Sequence, residues 1–82
     1  MLKSVMIEID QIYVPAKWRG TLDEAKVQEI AESIIEVGQK TPIQVRKGQG
    51  RYVLVTGFHR LEAMRALGEP RIEALIVQAR QH

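Results

Sequence analysis

The sequence predicts a small single-domain protein built of helix and strand layers, either α/β or α+β, and three observations lead there. Apolar and polar residues alternate along Val5–Asp10 and again along Ile43–Arg46, the period of half-buried strands. Two apolar runs with helical spacing, ending at Val37 and Leu67, are each followed at once by glycine, Gly38 and Gly68. The length, 82 residues, leaves no room for a second module and supports only a modest core.

In chain order, Val5, Ile7 and Ile9 alternate with Met6, Glu8 and Asp10. Ile12 and Val14 continue the pattern after an interruption at Asp10-Gln11, and Pro15 ends it. Thr21 opens a T-x-x-E capping box with Glu24, and Leu22, Val27, Ile30, Ala31, Ile34 and Ile35 follow at helical spacing up to Val37. Thr41-Pro42 favours extended backbone, so Ile43–Arg46 is a strand. Lys47-Gly48-Gln49-Gly50 is a turn that returns Arg51–Thr56 antiparallel to it. A second helix over Arg60–Leu67 carries Leu61, Met64 and Leu67 on one face, with Gly68 as its cap and Pro70 barring continuation. Ile72–Val77 is the last strand, which makes the order β-α-β-β-α-β.

With no cysteine, disulfides, thiolate metal sites and a cysteine nucleophile are excluded. The longest apolar stretches fall far short of the roughly 20 residues of a membrane helix, and Met1–Ser4 leads into no signal-peptide core. A cytoplasmic setting without membrane contact is expected. The formal charge of +2 does not by itself imply nucleic acid. Its distribution is uneven. Asp23, Glu24, Glu29, Glu32 and Glu36 crowd the first helix against Lys26, whereas the stretch between Glu36 and Glu62 has no acid and carries Lys40, Arg46, Lys47, Arg51 and Arg60. Lys40, Arg46, Lys47 and Arg51 are therefore candidates for weak, sequence-independent DNA contact, the alternative being charges that serve solubility.

Chemistry is concentrated at Val55-Thr-Gly-Phe-His-Arg-Leu-Glu-Ala63. In a strand–turn–helix junction Gly57 can adopt backbone dihedrals that other residues avoid, and the free N–H groups of the following helix point outward at its positive end. Arg60 adds a forked cationic donor and His59 a ring donor, a combination suited to phosphate. The alternative is a glycine turn followed by an ordinary surface helix. Trp18 either stacks on a base or covers the edge of the core, Phe58 plugs the core over the second helix, Asp23 and Glu24 serve the helix dipole, and the terminal His82 is mobile.

Ile12-Tyr13-Val14-Pro15, Arg19, Lys26-Val27, Ala31-Glu32-Ser33-Ile34, Gly38, Pro42-Ile43-Gln44-Val45, Tyr52–Val55 and Gly57–Ala63 together resemble the N-terminal domain of the ParB partition proteins, which shares a superfamily with sulfiredoxin. The resemblance implies an α+β fold, a small mixed sheet with two main helices. It also implies a nucleotide pocket, for CTP with Mg²⁺ in partition proteins and for ATP in sulfiredoxin. Carried over by position, Gly57, His59 and Arg60 grip phosphates, Lys26 and Ser33 assist from one face of the first helix, and Arg19 follows the family's loop arginine as a further phosphate contact. Gly38, Thr41, Pro42 and Ile43 line the base. Glu29 replaces a sulfiredoxin serine. No protein metal ligands are expected, and no residue is assigned as catalytic.

Two departures separate this chain from its relatives' chemistry. Phe58 occupies the position of the sulfiredoxin cysteine, which excludes reduction of sulfinic acids. It also replaces the partition-protein glutamate implicated in hydrolysis, so slow turnover is expected. The chain ends at Gln78–His82, before the helix-turn-helix with which partition proteins read DNA, so partner domains or a homodimer would supply that function. The resulting expectation is a nucleotide-binding module in DNA partition, maintenance or gene regulation. The alternatives are a small phosphoryl-transfer enzyme or nucleotidase of the same fold and a non-specific DNA-binding or nuclease-like protein, the last without a visible carboxylate cluster for a metal.

Overall fold

A computed structural model describes residues 3–78; Met1, Leu2 and residues 79–82, including His82, lie outside the described residues. The elements in order are β1 (Ser4–Glu8), a single 3₁₀ turn (Ile9–Gln11), β2 (Ile12–Tyr13), α1 (Ala16–Arg19), α2 (Glu24–Val37), β3 (Ile43–Lys47), β4 (Tyr52–Thr56), α3 (Phe58–Ala66) and β5 (Arg71–Ile76). The strands form one mixed five-stranded sheet in the order β1-β5-β3-β4-β2. β1 pairs antiparallel with β5 and β3 with β4, while β3/β5 and β2/β4 are parallel. This is the α+β architecture with two main helices that the sequence predicts.

The N-terminal strand differs from expectation. Its two apolar stretches do not continue one another: the turn at Ile9–Gln11 breaks the ladder and sends β1 and β2 to opposite edges of the sheet. Ile9 anchors that turn, buried at its side chain and donating its N–H to the Pro70 carbonyl at 2.9 Å. Trp18 stands in the short helix α1, after Pro15, whose missing N–H costs nothing at a helix start.

The start of α2 also needs correction. Thr21 does not cap the helix; its hydroxyl donates to the Trp18 carbonyl at 2.6 Å. Asp23 is the cap, accepting from the N–H groups of Ala25 and Lys26 at 3.1 and 3.3 Å from an extended φ of −123°. Leu22 therefore lies before the helix and is exposed. Gly38 closes α2 as predicted, at φ 78°.

The core is formed where α3 meets one face of the sheet. Phe58, Leu61 and Met64 pack with Ile43, Val45, Leu54, Ile72 and Ala74, and the N-terminal Ile7, Ile9 and Ile12 join them. α2 lies against α3 as an outer helix with no fully buried side chain, Ile34 being its contact with the core. Among the described residues no helix is long and apolar enough to cross a membrane.

Candidate phosphate-binding turn and the cleft beside it

β4 feeds directly into α3 through Gly57, the N-cap of α3, at φ 104° and ψ 29°. Only glycine fits there. A Cβ would stand 2.6 Å from Ile43 Cγ2 and 2.9 Å from Ile43 Cβ, so the start of β3 is pressed against the turn. Gly57 has no side chain to cap the helix, and the first intrahelical bond runs from the Leu61 N–H to the Gly57 carbonyl at 2.9 Å. The N–H groups of Phe58, His59 and Arg60 therefore have no partner among the described residues. Three such donors at the positive end of a nine-residue helix are a geometry suited to an anion. Arg60 is partly buried beside them and makes no ion pair or hydrogen bond among the described residues.

His59 is engaged differently from the ring donor that the sequence suggests. Its Nε2 lies 3.1 Å from the Asp23 N–H and 3.1 Å from the Thr21 carbonyl. A ring nitrogen cannot accept from one and donate to the other at once, so the tautomer selects the bond. In either state His59 ties the N-terminus of α3 to that of α2. Lys26, one turn into α2, is exposed and has no acidic partner among the described residues.

The segment predicted to line a base is fixed by a residue that sequence reading missed. Gln39 acts as a side-chain extension of β3: its Oε1 accepts from the Glu73 N–H at 2.9 Å, and its Nε2 donates to the Glu73 carbonyl at 2.9 Å and to the Thr41 carbonyl at 3.0 Å. Gly38, Thr41, Pro42 and Ile43 are thereby held against β5, and Ile43 carries that rigidity to Gly57. No local signal marks Gln39, because its partner lies 34 residues further along.

Other predicted residues are placed elsewhere. Arg19, exposed and 3.5 Å from the Val14 carbonyl, lines a cleft of about 420 Å³ with Tyr13, Leu22, Phe58, Glu62 and Arg65, in the range of small-ligand sites. Phe58 joins this cleft to the turn at Gly57. It is buried in the core and stacks on Trp18 at 6.2 Å, so the tryptophan covers the core edge; its Nε1 is buried without a hydrogen-bond partner among the described residues. Ser33 lines a separate cleft on α2 with Glu29, Glu32 and Glu36. The basic candidates are dispersed: Lys40 at that α2 cleft, Arg46 on the far face of the sheet, and Lys47 and Arg51 at the hairpin end, where Arg51 lies 4.0 Å over the Tyr13 ring. Among the described residues no three His, Asp or Glu side chains converge on a metal geometry.

This architecture is shared with known proteins. The chain is 43% identical over 75 residues to the probable chromosome-partitioning protein ParB of Campylobacter jejuni, covering 90% of this chain and 27% of that protein. The crystal structure of sulfiredoxin from Arabidopsis thaliana superposes with a TM-score of 0.84 at 32% identity, over 94% of this chain and 86% of that one. The C-terminally truncated ParB of Caulobacter crescentus complexed with CTP-γ-S gives 0.82 at 25% identity, over 96% and 46%. A mutant free serine kinase in complex with AMP gives 0.78 at 26% identity, over 90% and 30%. The ParB N-terminal domain pattern matches residues 2–82, and the chain belongs to that family.

Proposed function

We propose that this chain is a nucleotide-binding module of ParB type, taking the phosphates of CTP or ATP at Gly57–Arg60, with Mg²⁺ as their companion. The supporting observation is the uncapped start of α3: three N–H groups and an Arg60 beside them without partners among the described residues, and a glycine that cannot be replaced without collision. Arg60 binds bidentately as a fixed cation, Lys26 adds charge from α2, and the Gly38–Ile43 segment supports the base side. Ser33, which lines the cleft of Glu29, Glu32 and Glu36, would contribute on the phosphate or sugar side, and Arg19 would contribute from the cleft beyond Phe58. That related structures hold CTP-γ-S or AMP supports the reading. The module would work in the cytoplasm in DNA partition, maintenance or gene regulation, with DNA read by partner domains or through a homodimer.

A phosphoryl-transfer enzyme is the second reading, favoured by the cleft where Arg19, Tyr13 and Arg65 border Phe58 next to the proposed phosphate site. An acceptor bound there would meet a terminal phosphate held at the turn, and transfer by positioning and electrostatics demands little covalent chemistry from the protein. Calorimetric titration with CTP, ATP and GTP, with and without Mg²⁺, followed by phosphate-release assays with and without free serine, separates the readings. Binding without turnover supports the module. Acceptor-dependent turnover supports the enzyme, and the absence of binding by any of the three nucleotides overturns both.

A further inference from the structure

Between α2 and β3 the chain runs through residues 38–42 without helix or strand, and one side chain ties it down. The ladder between β3 and β5 begins at Ile43 and Ala74. One position earlier on β5, the N–H and the carbonyl of Glu73 are both bonded by the Gln39 amide at 2.9 Å, and the same amide donates to the Thr41 carbonyl at 3.0 Å. Both amide protons of Gln39 are therefore committed, and its orientation is fixed, since the reversed amide would set NH₂ against the Glu73 N–H. No other side-chain hydrogen bond among the described residues reaches residues 38–41.

The two ends of this segment are unlike. At one end Gly38 leaves α2 at φ 78° with open space around it, and Gly38, Lys40 and Thr41 are all exposed. At the other, Ile43 is buried in the core and stands against Gly57, so it needs no further support. What Gln39 holds is the stretch between them. Lys40, in that stretch, borders a cleft of about 610 Å³ together with Ser33 of α2, within the range of small-ligand sites. A segment pinned before the ligand arrives has its ordering cost already met in folding, and that saving appears as affinity.

We propose that Gln39 is a positioning residue for the nucleoside half of the ligand. It rests on the nucleotide-binding reading above and adds to it a division of labour: the N–H groups of residues 58–60 take the phosphates, and Gln39, by fastening residues 38–42 to β5, sets how tightly the base and sugar are held and hence how far one nucleotide is preferred over another. With both amide protons spent on Glu73 and Thr41, Gln39 acts through the segment and not on the nucleotide itself. Its loss therefore affects a ligand that has a base and spares one that has none.

Calorimetric titration of the wild type and of Gln39→Met with CTP, ATP, GTP and inorganic triphosphate, each with Mg²⁺, reads this out. Methionine keeps the length and bulk of the side chain and removes its hydrogen bonds. The wild type is expected to bind at least one nucleotide more tightly than inorganic triphosphate. Gln39→Met should weaken that nucleotide by about fivefold or more and narrow the spread among the three, while inorganic triphosphate stays within about twofold. Ile7→Val, which removes a buried methyl group on β1, controls for a loss of stability alone and should leave every affinity unchanged. Should Gln39→Met disturb folding by circular dichroism, Gln39→Glu takes its place, keeping an acceptor for the Glu73 N–H but no donor for the two carbonyls. Nucleotide affinity unchanged in the Gln39 variant, an equal loss for inorganic triphosphate, or an equal loss in Ile7→Val overturns the proposal. A wild type that binds inorganic triphosphate as tightly as every nucleotide overturns it while leaving the phosphate turn standing, and a wild type that binds none of the four overturns both.

Discussion

Gly57→Ala tests whether the turn is held as described. The methyl group would have to adopt φ near the observed 104°, a region that costs a non-glycine residue about 1–3 kcal/mol. It would also stand 2.6 and 2.9 Å from Ile43 Cγ2 and Cβ. Ile43 is 1% exposed and cannot swing away, so the collision adds the roughly 1–3 kcal/mol typical of overpacking. The sum, about 2–6 kcal/mol, is a large share of the roughly 4–12 kcal/mol expected for a domain of this length. A loss of about 3 kcal/mol corresponds to a fall in Tm of roughly 12–24 °C. Gly20→Ala is the matched control, since Gly20 sits at φ −79° with nothing within 4 Å, and it should change stability by less than about 1 kcal/mol. Urea denaturation followed by Trp18 fluorescence reads both variants. Gly57→Ala within about 1 kcal/mol of Gly20→Ala would refute the interlock between turn and β3.

Arg60→Ala should leave the fold intact and weaken nucleotide binding by about 1.5–3 kcal/mol, the range for a hydrogen bond to a charged group; unchanged affinity by calorimetry would assign Arg60 to the surface. Gln39→Ala strips the Glu73 N–H and carbonyl of their partners and should cost about 1–3 kcal/mol in denaturant titrations, with the larger loss of amide-exchange protection at Gly38–Ile43 and Glu73 rather than at β1. Phe58→Glu puts a carboxylate at the position where the resemblance places the partition-protein glutamate and, on the binding-module reading, should raise phosphate release above that of the wild type; since Phe58 is buried against Trp18, folding is verified first, and wild-type turnover near 1 per second, about the lower end for kinases, would overturn that reading. Lys47→Glu with Arg51→Glu should abolish any salt-sensitive binding to duplex DNA while leaving nucleotide affinity unaltered, and a tight complex with one particular duplex at physiological salt would contradict sequence-independent contact.

The parts of the fold legible in the sequence are those specified by near neighbours. Helical spacing from Val27 to Ile34, the stops at Gly38 and Gly68 and the turn at Lys47–Gly50 are local, and α2, the hairpin and α3 follow from them. The separation of β1 from β2 is not local. The alternation of Val5, Ile7 and Ile9 breaks phase before Ile12, which marks an interruption, but only the partners, β5 for one strand and β4 for the other, reveal that the chain has crossed the sheet. The capping error has the same origin: Thr21 and Asp23 both suit an N-cap, and the contacts of the Thr21 hydroxyl with Trp18 and of His59 with Asp23 decide between them. At the candidate site, Gly57 and its following N–H groups were readable because the chemistry is backbone chemistry at a strand-to-helix junction. The Gln39 lock and the His59 tie were not, since each joins residues more than thirty positions apart.

The central claim, that a nucleotide's phosphates occupy the start of α3, is tested most directly by amide NMR during titration with CTP, ATP and GTP, each with and without Mg²⁺. The N–H groups of Phe58, His59 and Arg60 have no partner among the described residues and would acquire one, so their resonances should move most, together with those of Gly57 and Ile43. Saturable shifts elsewhere in the domain, with these amides unmoved, would contradict the account.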